Sequence, residues 1–127
     1  MRVISRLAVV LALATSAAPV HAGAKWVYPV VVDTTNRRAY GNMGASRNSV
    51  DATQHLECGL AAGAPTSMFC GATDASGTSA YCQATDASLV AVVASMSGDS
   101  YLYFTWDASG KCNYVFTEAG SRWEPKK

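Results

Sequence analysis

The chain has 127 residues, which is enough for one domain and too few for two ordinary ones. Its ten basic and nine acidic residues nearly balance. Apart from Arg37-Arg38 and the last two lysines, the basic residues are scattered along the chain. A nucleic-acid-binding surface needs clustered positive charge to neutralise several phosphates, so we expect no nucleic-acid partner.

Residues 1–22 have the pattern of a secretory signal peptide. Two arginines precede an uninterrupted apolar run from Leu7 to Ala14, and the segment ends in Val20-His21-Ala22, a small-x-small cleavage pattern. The apolar run is far below the roughly 18 residues that span a bilayer, so no membrane span is expected. The sequence therefore predicts cleavage after Ala22 and a periplasmic or extracellular protein. The single mature domain, residues 23–127, then has eight basic and nine acidic residues and a net charge near −1.

Four cysteines lie in the mature part: Cys58, Cys70, Cys82 and Cys112. An even number of cysteines in an exported domain is typical of a disulfide framework, here two bonds. Structural zinc sites use close-set cysteine pairs, whereas the spacings here are 12, 12 and 30 residues. We expect no metal site, and because no glycine-rich phosphate loop precedes a helix, no cofactor either.

The first half of the mature chain has the pattern of β-strands. Residues 26–32 are rich in β-branched and aromatic side chains, but Pro29 cannot donate to a ladder, which predicts an edge or interrupted strand. A short strand is expected at Arg37–Tyr40, followed by a loop over residues 41–44. The clearest strand is Ser49–Leu60, where apolar and polar residues alternate strictly.

The second half combines hairpins with one helix. Strands are expected at Ser67–Thr73, Thr78–Thr85, Tyr101–Trp106 and Cys112–Thr117. The turn sequence Asp-Ala-Ser-Gly stands at both 74–77 and 107–110, and its glycine suits the left-handed position of a type I turn with a bulge. Asp86 is the expected N-cap of a helix over Ala87–Met96, whose apolar residues recur at helical spacing. The tail from Ser121 is expected to be loose.

Together these patterns predict an α+β fold: a mainly antiparallel sheet of five to seven strands, one helix packed on a face, and two disulfides. Folding of the chain about Ala64 sets Cys58 opposite Cys70. A helical crossover that ran the Tyr101 strand parallel to the Thr78 strand would bring Cys82 near Cys112. We favour those two bonds. The alternative is Cys70–Cys82 with Cys58–Cys112, because the turn at Gly77 also sets Cys70 opposite Cys82.

His55, Glu57 and Asp51 form the candidate catalytic row. At alternate positions of one strand they would lie on the same side of a sheet, where a carboxylate beside a histidine can make a general base. The solvated outer face of an antiparallel sheet produces the same row without any catalysis. A small secreted hydrolase that uses this row is therefore the alternative hypothesis for function, and no catalytic residue is assigned.

Tyr101, Tyr103 and Tyr114 are the candidate binding residues. They alternate with apolar residues on the last two strands, so a helix covering one face would leave the tyrosines exposed on the other. Tyrosine can stack on a sugar or anchor a protein partner, although cross-strand aromatic pairs also stabilise sheets. We expect a monomeric, non-enzymatic binding module, for example an inhibitor, whose partner is a protein or a carbohydrate.

The segment from Tyr40-Gly41-Asn42-Met43-Gly44 through Cys58, the segment Phe104 to Cys112, and the spacing of Cys70 and Cys82 resemble a group of small uncharacterised secreted proteins of Gram-negative bacteria. The resemblance covers most of the mature chain. It implies a bacterial envelope or secreted protein, and it implies no activity and no catalytic residue.

Overall fold

The computed structural model describes residues 23–123, so the predicted signal peptide and residues 124–127 lie outside the described part. Within it the chain forms seven strands and two helices. The strands are β1 Val31–Asp33, β2 Arg38–Asn42, β3 His55–Ala61, β4 Ser67–Thr73, β5 Ser79–Ala84, β6 Tyr101–Trp106 and β7 Cys112–Glu118. The helices are α1 Met43–Arg47 and α2 Ala87–Ala94.

The α+β fold with antiparallel strands is confirmed, and the strands divide into two sheets. The larger sheet has the order β1-β2-β6-β7 and the smaller the order β3-β4-β5. Every neighbouring pair is antiparallel. The expectation that the Tyr101 strand runs parallel beside the Thr78 strand is wrong, because α2 carries the chain from the smaller sheet to the larger one.

The two Asp-Ala-Ser-Gly turns form as predicted, through the same hydrogen bonds. Asp74 Oδ1 accepts the backbone N–H groups of Ser76 and Thr78 and the Ser76 hydroxyl. Asp107 makes the corresponding bonds at the second turn. Gly77 and Gly110 have φ of 87° and 81°, a conformation that glycine adopts without strain. These two turns set the registers of the hairpins β4–β5 and β6–β7.

Helix α2 is capped by Asp86, whose carboxylate accepts the N–H groups of Ser88 and Leu89. Its apolar side faces the core: Val93 is buried, and Leu89 and Met96, which follows the helix, pack against the cluster of buried residues. The helix contacts β7 of the larger sheet and β3 and β4 of the smaller one. It therefore closes one side of the core between the sheets.

Strand β3 begins at His55, six residues later than the predicted start at Ser49. The carboxylate of Asp51 accepts the N–H groups of Thr53 and Gln54, which makes a local turn in place of ladder bonds. Val50, expected on the buried face, is fully exposed. The alternating pattern of residues 49–54 therefore predicts a strand where the structure has a turn.

The segment from 26 to 44 also differs from expectation. Regular strand structure starts at Val31, after Pro29. The predicted loop at 41–44 contains the end of β2 and the start of α1. Asn42 caps that helix, since its Oδ1 accepts the Ala45 N–H at 2.7 Å.

Both disulfides have the favoured pairing. Cys58 is bonded to Cys70 directly across β3 and β4, and Cys82 in β5 is bonded to Cys112 in β7. Cys70 also lies opposite Cys82, as the alternative pairing required, but is not bonded to it. The Cys82–Cys112 bond joins the two sheets, whereas the expected parallel pairing would have placed both cysteines in one sheet.

The core lies between the sheets. Its largest fully buried side chains are Phe104, Met68 and Leu102, and three of the four cysteines are completely covered. Two outer faces remain, one on each sheet. No helix within residues 23–123 is long and apolar enough to cross a membrane.

Candidate functional site

The outer face of the larger sheet carries most of the aromatic side chains of the protein. Along β6, Leu102 and Phe104 point into the core, so Tyr101 and Tyr103 point outward. Eight of the twelve aromatic residues of the chain form a layer there, in two groups of touching rings. One group includes Tyr101 and the other Tyr103, and the two groups line a common depression. We call this layer the aromatic face; it consists of Trp26, Tyr28, Tyr40, Tyr101, Tyr103, Tyr114, Phe116 and Trp123.

Pairing between strands places the rings against one another. Tyr40 lies opposite Tyr103, and their rings stack with centroids 5.9 Å apart at 22°. Tyr103 meets Tyr114 edge-on at 6.0 Å, and Tyr101 meets Phe116 at 6.4 Å. Such cross-strand pairs stabilise a sheet and hold each ring in one orientation. All three tyrosines predicted as binding residues therefore belong to the aromatic face.

Much of this layer is open to solvent. Tyr114 is 51% and Phe116 40% exposed, and with Tyr101 and Tyr103 they line a shallow depression of about 490 Å³. Burial of Tyr101 beneath its neighbours raises the pKa of its hydroxyl above the ordinary value. Its hydroxyl therefore stays protonated, and able to donate a hydrogen bond, at any physiological pH.

The two ends of the described chain complete the aromatic face. Trp26 donates its backbone N–H to the Arg122 carbonyl at 3.0 Å, and the Arg122 guanidinium lies 4.8 Å from the Trp26 ring centroid. Trp123 is buried and stacks on Tyr101 at 5.0 Å. The expectation of a loose tail is therefore wrong for Ser121–Trp123, while residues 124–127 lie outside the described part.

Two arginines beside the aromatic face are paired with carboxylates. Arg38 Nε lies 3.0 Å from Asp33 Oδ2, and Arg122 lies 3.0 Å from Glu118. Hydrogen bonds from Asn36, followed by the contribution of Arg38, lower the pKa of Asp33. The Asp33 carboxylate in turn raises the pKa of Arg38. The face thus presents aromatic surface with neutralised charges at its borders.

The candidate catalytic row forms only in part. His55 and Glu57 lie on the outer face of the smaller sheet, with His55 Nε2 3.2 Å from Glu57 Oε1. Asp51 lies before the strand, where its carboxylate binds Gln54 and the backbone of the turn. These hydrogen bonds lower the pKa of Asp51 to about 2, and the bond from the Gln54 side chain has the largest effect. Asp51 therefore does not join the other two residues.

The surroundings of His55 are open. Its side chain and that of Glu57 are each about half exposed, and a depression of about 240 Å³ beside His55 is lined by Met43, Arg47 and Gln54 among others. A general base works best in a site that excludes water and holds the substrate close. Within residues 23–123, no group of three or more His, Cys, Asp or Glu side chains is placed to hold a metal ion.

Four residues of the aromatic face could not be assigned to it from strand alternation. Trp26, Tyr28 and Trp123 join it through irregular segments, where strand alternation carries no information, and Tyr40 lies on a strand correctly expected but with an unknown partner. The available signal was the excess of tyrosine on alternate positions of neighbouring strands.

Compared with known proteins, the chain matches no family model, no curated protein and no solved structure.

Proposed function

We propose that this chain is an exported, non-enzymatic binding module of the bacterial envelope or secretome, and that its aromatic face binds a protein partner. The observation that carries the proposal is the layer of eight aromatic side chains on one face of the larger sheet, four of which are 40–51% exposed. Tyrosine, tryptophan and arginine are the residues most enriched at the energetic centres of protein interfaces.

The pairing of polar groups supports a protein partner over a sugar. The carboxylates of Asp33 and Glu118, which could accept from sugar hydroxyls, are already paired with Arg38 and Arg122, so the tyrosine hydroxyls are the polar groups that the face offers. A protein interface, by contrast, has few free charges at its centre and polar groups at its rim. Cross-strand packing holds the rings in place before binding, which lowers the entropic cost of association.

Export is supported by the signal-peptide pattern of residues 1–22 and by the two disulfides, which persist in oxidising compartments. We expect the exported protein to begin at Gly23. N-terminal sequencing of protein recovered from the periplasm or medium tests this, and a full-length chain retained in the cytoplasm would contradict it.

Binding is tested with a pair of tyrosine variants on opposite sheets. Tyr114 on the aromatic face is 51% exposed, and Tyr81 on the smaller sheet is 59% exposed, so neither substitution should disturb the core. The exported protein and its Tyr114→Ala and Tyr81→Ala variants are used as baits in envelope extract. A specific partner is retained by wild type and Tyr81→Ala and is lost or much reduced with Tyr114→Ala.

The captured protein is then purified and titrated against each variant. We expect Tyr114→Ala combined with Phe116→Ala to weaken binding at least about tenfold, as substitutions at interface centres do. Equal capture by all variants, or no partner that distinguishes the two faces, contradicts the proposal.

A further inference from the structure

The smaller sheet has its own pair of stacked rings. Phe69 on β4 and Tyr81 on β5 lie with ring centroids 6.2 Å apart and planes 22° from parallel, on the face turned away from the core. We call these two rings the Phe69–Tyr81 platform. It lies on a different sheet from the aromatic face and is not needed for the function proposed above.

Each ring lies near a glycine of the neighbouring strand. The Phe69 ring covers Gly59 of β3, and a Cβ placed on that glycine would stand 2.5 Å from Phe69 Cζ. At Gly71 of β4, the Glu57 side chain stands 3.7 Å and the Tyr81 ring 4.0 Å from the corresponding position. Glycine within a strand commonly marks such a close approach. The tip of the Phe69 ring therefore reaches the backbone of β3, and Tyr81, which is 59% exposed, presents ring surface to solvent.

Hydrogen-bonding side chains surround the platform. Register places Gln83 beside Phe69, and Glu57 across Gly71 from Tyr81. His55 lies 3.2 Å from Glu57. Glu57, Tyr81 and Gln83 are exposed, so their polar atoms are accessible from solvent. Glu57 Oε1 is paired with His55, so its second oxygen, the Tyr81 hydroxyl and the Gln83 amide are the groups that face a ligand.

We propose that the Phe69–Tyr81 platform binds a neutral polysaccharide of flat, equatorially substituted pyranose rings. The apolar C–H face of such a sugar stacks on an aromatic ring, while its hydroxyls bond groups at the edge such as Glu57 and Gln83. Charge also selects the ligand: β3, β4 and β5 contain no lysine or arginine, and Glu57 is their one acidic residue. Lys111, which is bridged to Gln83 at the edge of β5, is the basic residue beside the platform. Uronic acid polymers and phosphorylated glycans are therefore disfavoured.

The geometry supports binding rather than hydrolysis of the sugar. Glycosidases use two carboxyl groups roughly 5–9.5 Å apart on either side of the bond that is cleaved. On the outer face of these three strands Glu57 is the single carboxyl group. Bound saccharide should therefore be recovered intact.

The test uses the exported, disulfide-bonded protein and three soluble probes: chitohexaose, cellohexaose and polygalacturonate. Calorimetric titration should give a Kd of about 1 mM or tighter for at least one neutral probe, since few contacts are involved. Polygalacturonate should bind at least about tenfold more weakly, as expected when a carboxylate meets Glu57. No binding of either neutral probe, or equal binding of polygalacturonate, overturns the proposal.

Variants distinguish the platform from the rest of the surface. Tyr81→Ala removes one ring, and Gly59→Ala retains both rings but forces Phe69 off the strand; each should weaken binding of the neutral probe about tenfold or more. Tyr114→Ala, on the other sheet, should leave it unchanged. Circular dichroism confirms that each variant is folded. Unchanged binding by a folded Tyr81→Ala variant, or an equal loss with Tyr114→Ala, would overturn the assignment to this platform, whatever the aromatic face binds.

Discussion

Cys82 in β5 is bonded to Cys112 in β7 beside the point where Gln83 and Lys111 form a parallel bridge between the two sheets. This disulfide joins sheets that otherwise share no ladder of hydrogen bonds. The Cys58–Cys70 disulfide, by contrast, joins two strands that are already paired along seven residues. The two bonds should therefore differ in what they contribute to stability.

We expect loss of Cys82–Cys112 to be the more damaging. A disulfide that closes a loop lowers the conformational entropy of the unfolded chain and so stabilises the folded one. This contribution to the free energy of unfolding is about 3.7 kcal/mol for a separation of 30 residues and about 2.8 kcal/mol for 12 residues. Urea unfolding of Cys82→Ala/Cys112→Ala and Cys58→Ala/Cys70→Ala measures both, and each double variant is the control for the other. A larger loss in the second variant would contradict this ranking.

The parts of the fold that the sequence predicted well depend on local chemistry. The Asp-Ala-Ser-Gly turns, the Asp86 cap and the hairpins they delimit each involve residues a few positions apart. The division into two sheets does not: β2 pairs with β6 some sixty residues away, and no local pattern specifies that partner. The predicted strand start at Ser49 is wrong for a local reason: the Asp51 carboxylate accepts the backbone N–H groups of Thr53 and Gln54 and forms a turn there.

The candidate site, like the fold, was predictable only where a single strand determines which way a side chain points. Alternation along β6 and β7 identified Tyr101, Tyr103 and Tyr114 because the rule needs only one strand at a time. Their continuation through Tyr40 and Trp123 depends on strand pairing and on the packing of the chain ends, which the sequence does not state. The Phe69–Tyr81 platform depends on Gly59, whose meaning appears only when the opposite strand is known.

Asn42 should be the most sensitive polar position of the larger sheet. Its side chain is 1% exposed; Oδ1 caps α1 and Nδ2 donates to the Trp123 carbonyl at 2.8 Å. Asn42→Ala leaves one donor and one acceptor without partners, at a cost of about 2–4 kcal/mol in the free energy of unfolding. Urea denaturation measures the loss. The exposed Asn113→Ala, which loses a solvent-exposed hydrogen bond from Thr105, is the control and should cost no more than about 1 kcal/mol.

Stability should fall in acid between pH 4 and pH 2. Folding lowers the pKa of Asp51 from 3.8 to about 2, and the hydrogen bond from the Gln54 side chain is the largest cause. The unfolded chain therefore binds protons more readily than the folded one. Stability from this group is therefore complete above its unfolded pKa and is lost as pH falls through the folded value. Asp74, Asp86 and Asp107 act in the same direction, since hydrogen bonds from Ser76, Ser88 and Ser109 lower their pKa values.

Urea midpoints at pH 7, 4 and 2.5 measure this dependence. Asp51→Asn should be less stable than wild type at pH 7 and should lose less between pH 4 and pH 2.5, because that titration is absent. Asp99→Asn, which removes a carboxylate from the exposed ion pair with Arg47, serves as the charge-matched control. A wild-type protein equally stable at all three pH values would show that these turns contribute nothing through ionisation.

His55 separates the binding and hydrolase hypotheses. Its ion pair with Glu57 is about half exposed on both sides, and such pairs contribute little, so His55→Ala should change the free energy of unfolding by no more than about 0.5 kcal/mol. As a binding module, the variant should also retain the partner captured by the aromatic face, because His55 lies on the other sheet. An enzyme with a general base at this position would instead lose about 10²–10⁴ in rate.

The measurement is therefore made in parallel: unfolding and partner titration for His55→Ala, and hydrolysis of ester, peptide and glycoside substrates by wild type and variant. Hydrolysis by the wild type that His55→Ala abolishes while its fold persists would favour the enzyme. In that case a substrate would have to bring the open His55–Glu57 pair into a closed site that the free protein does not form.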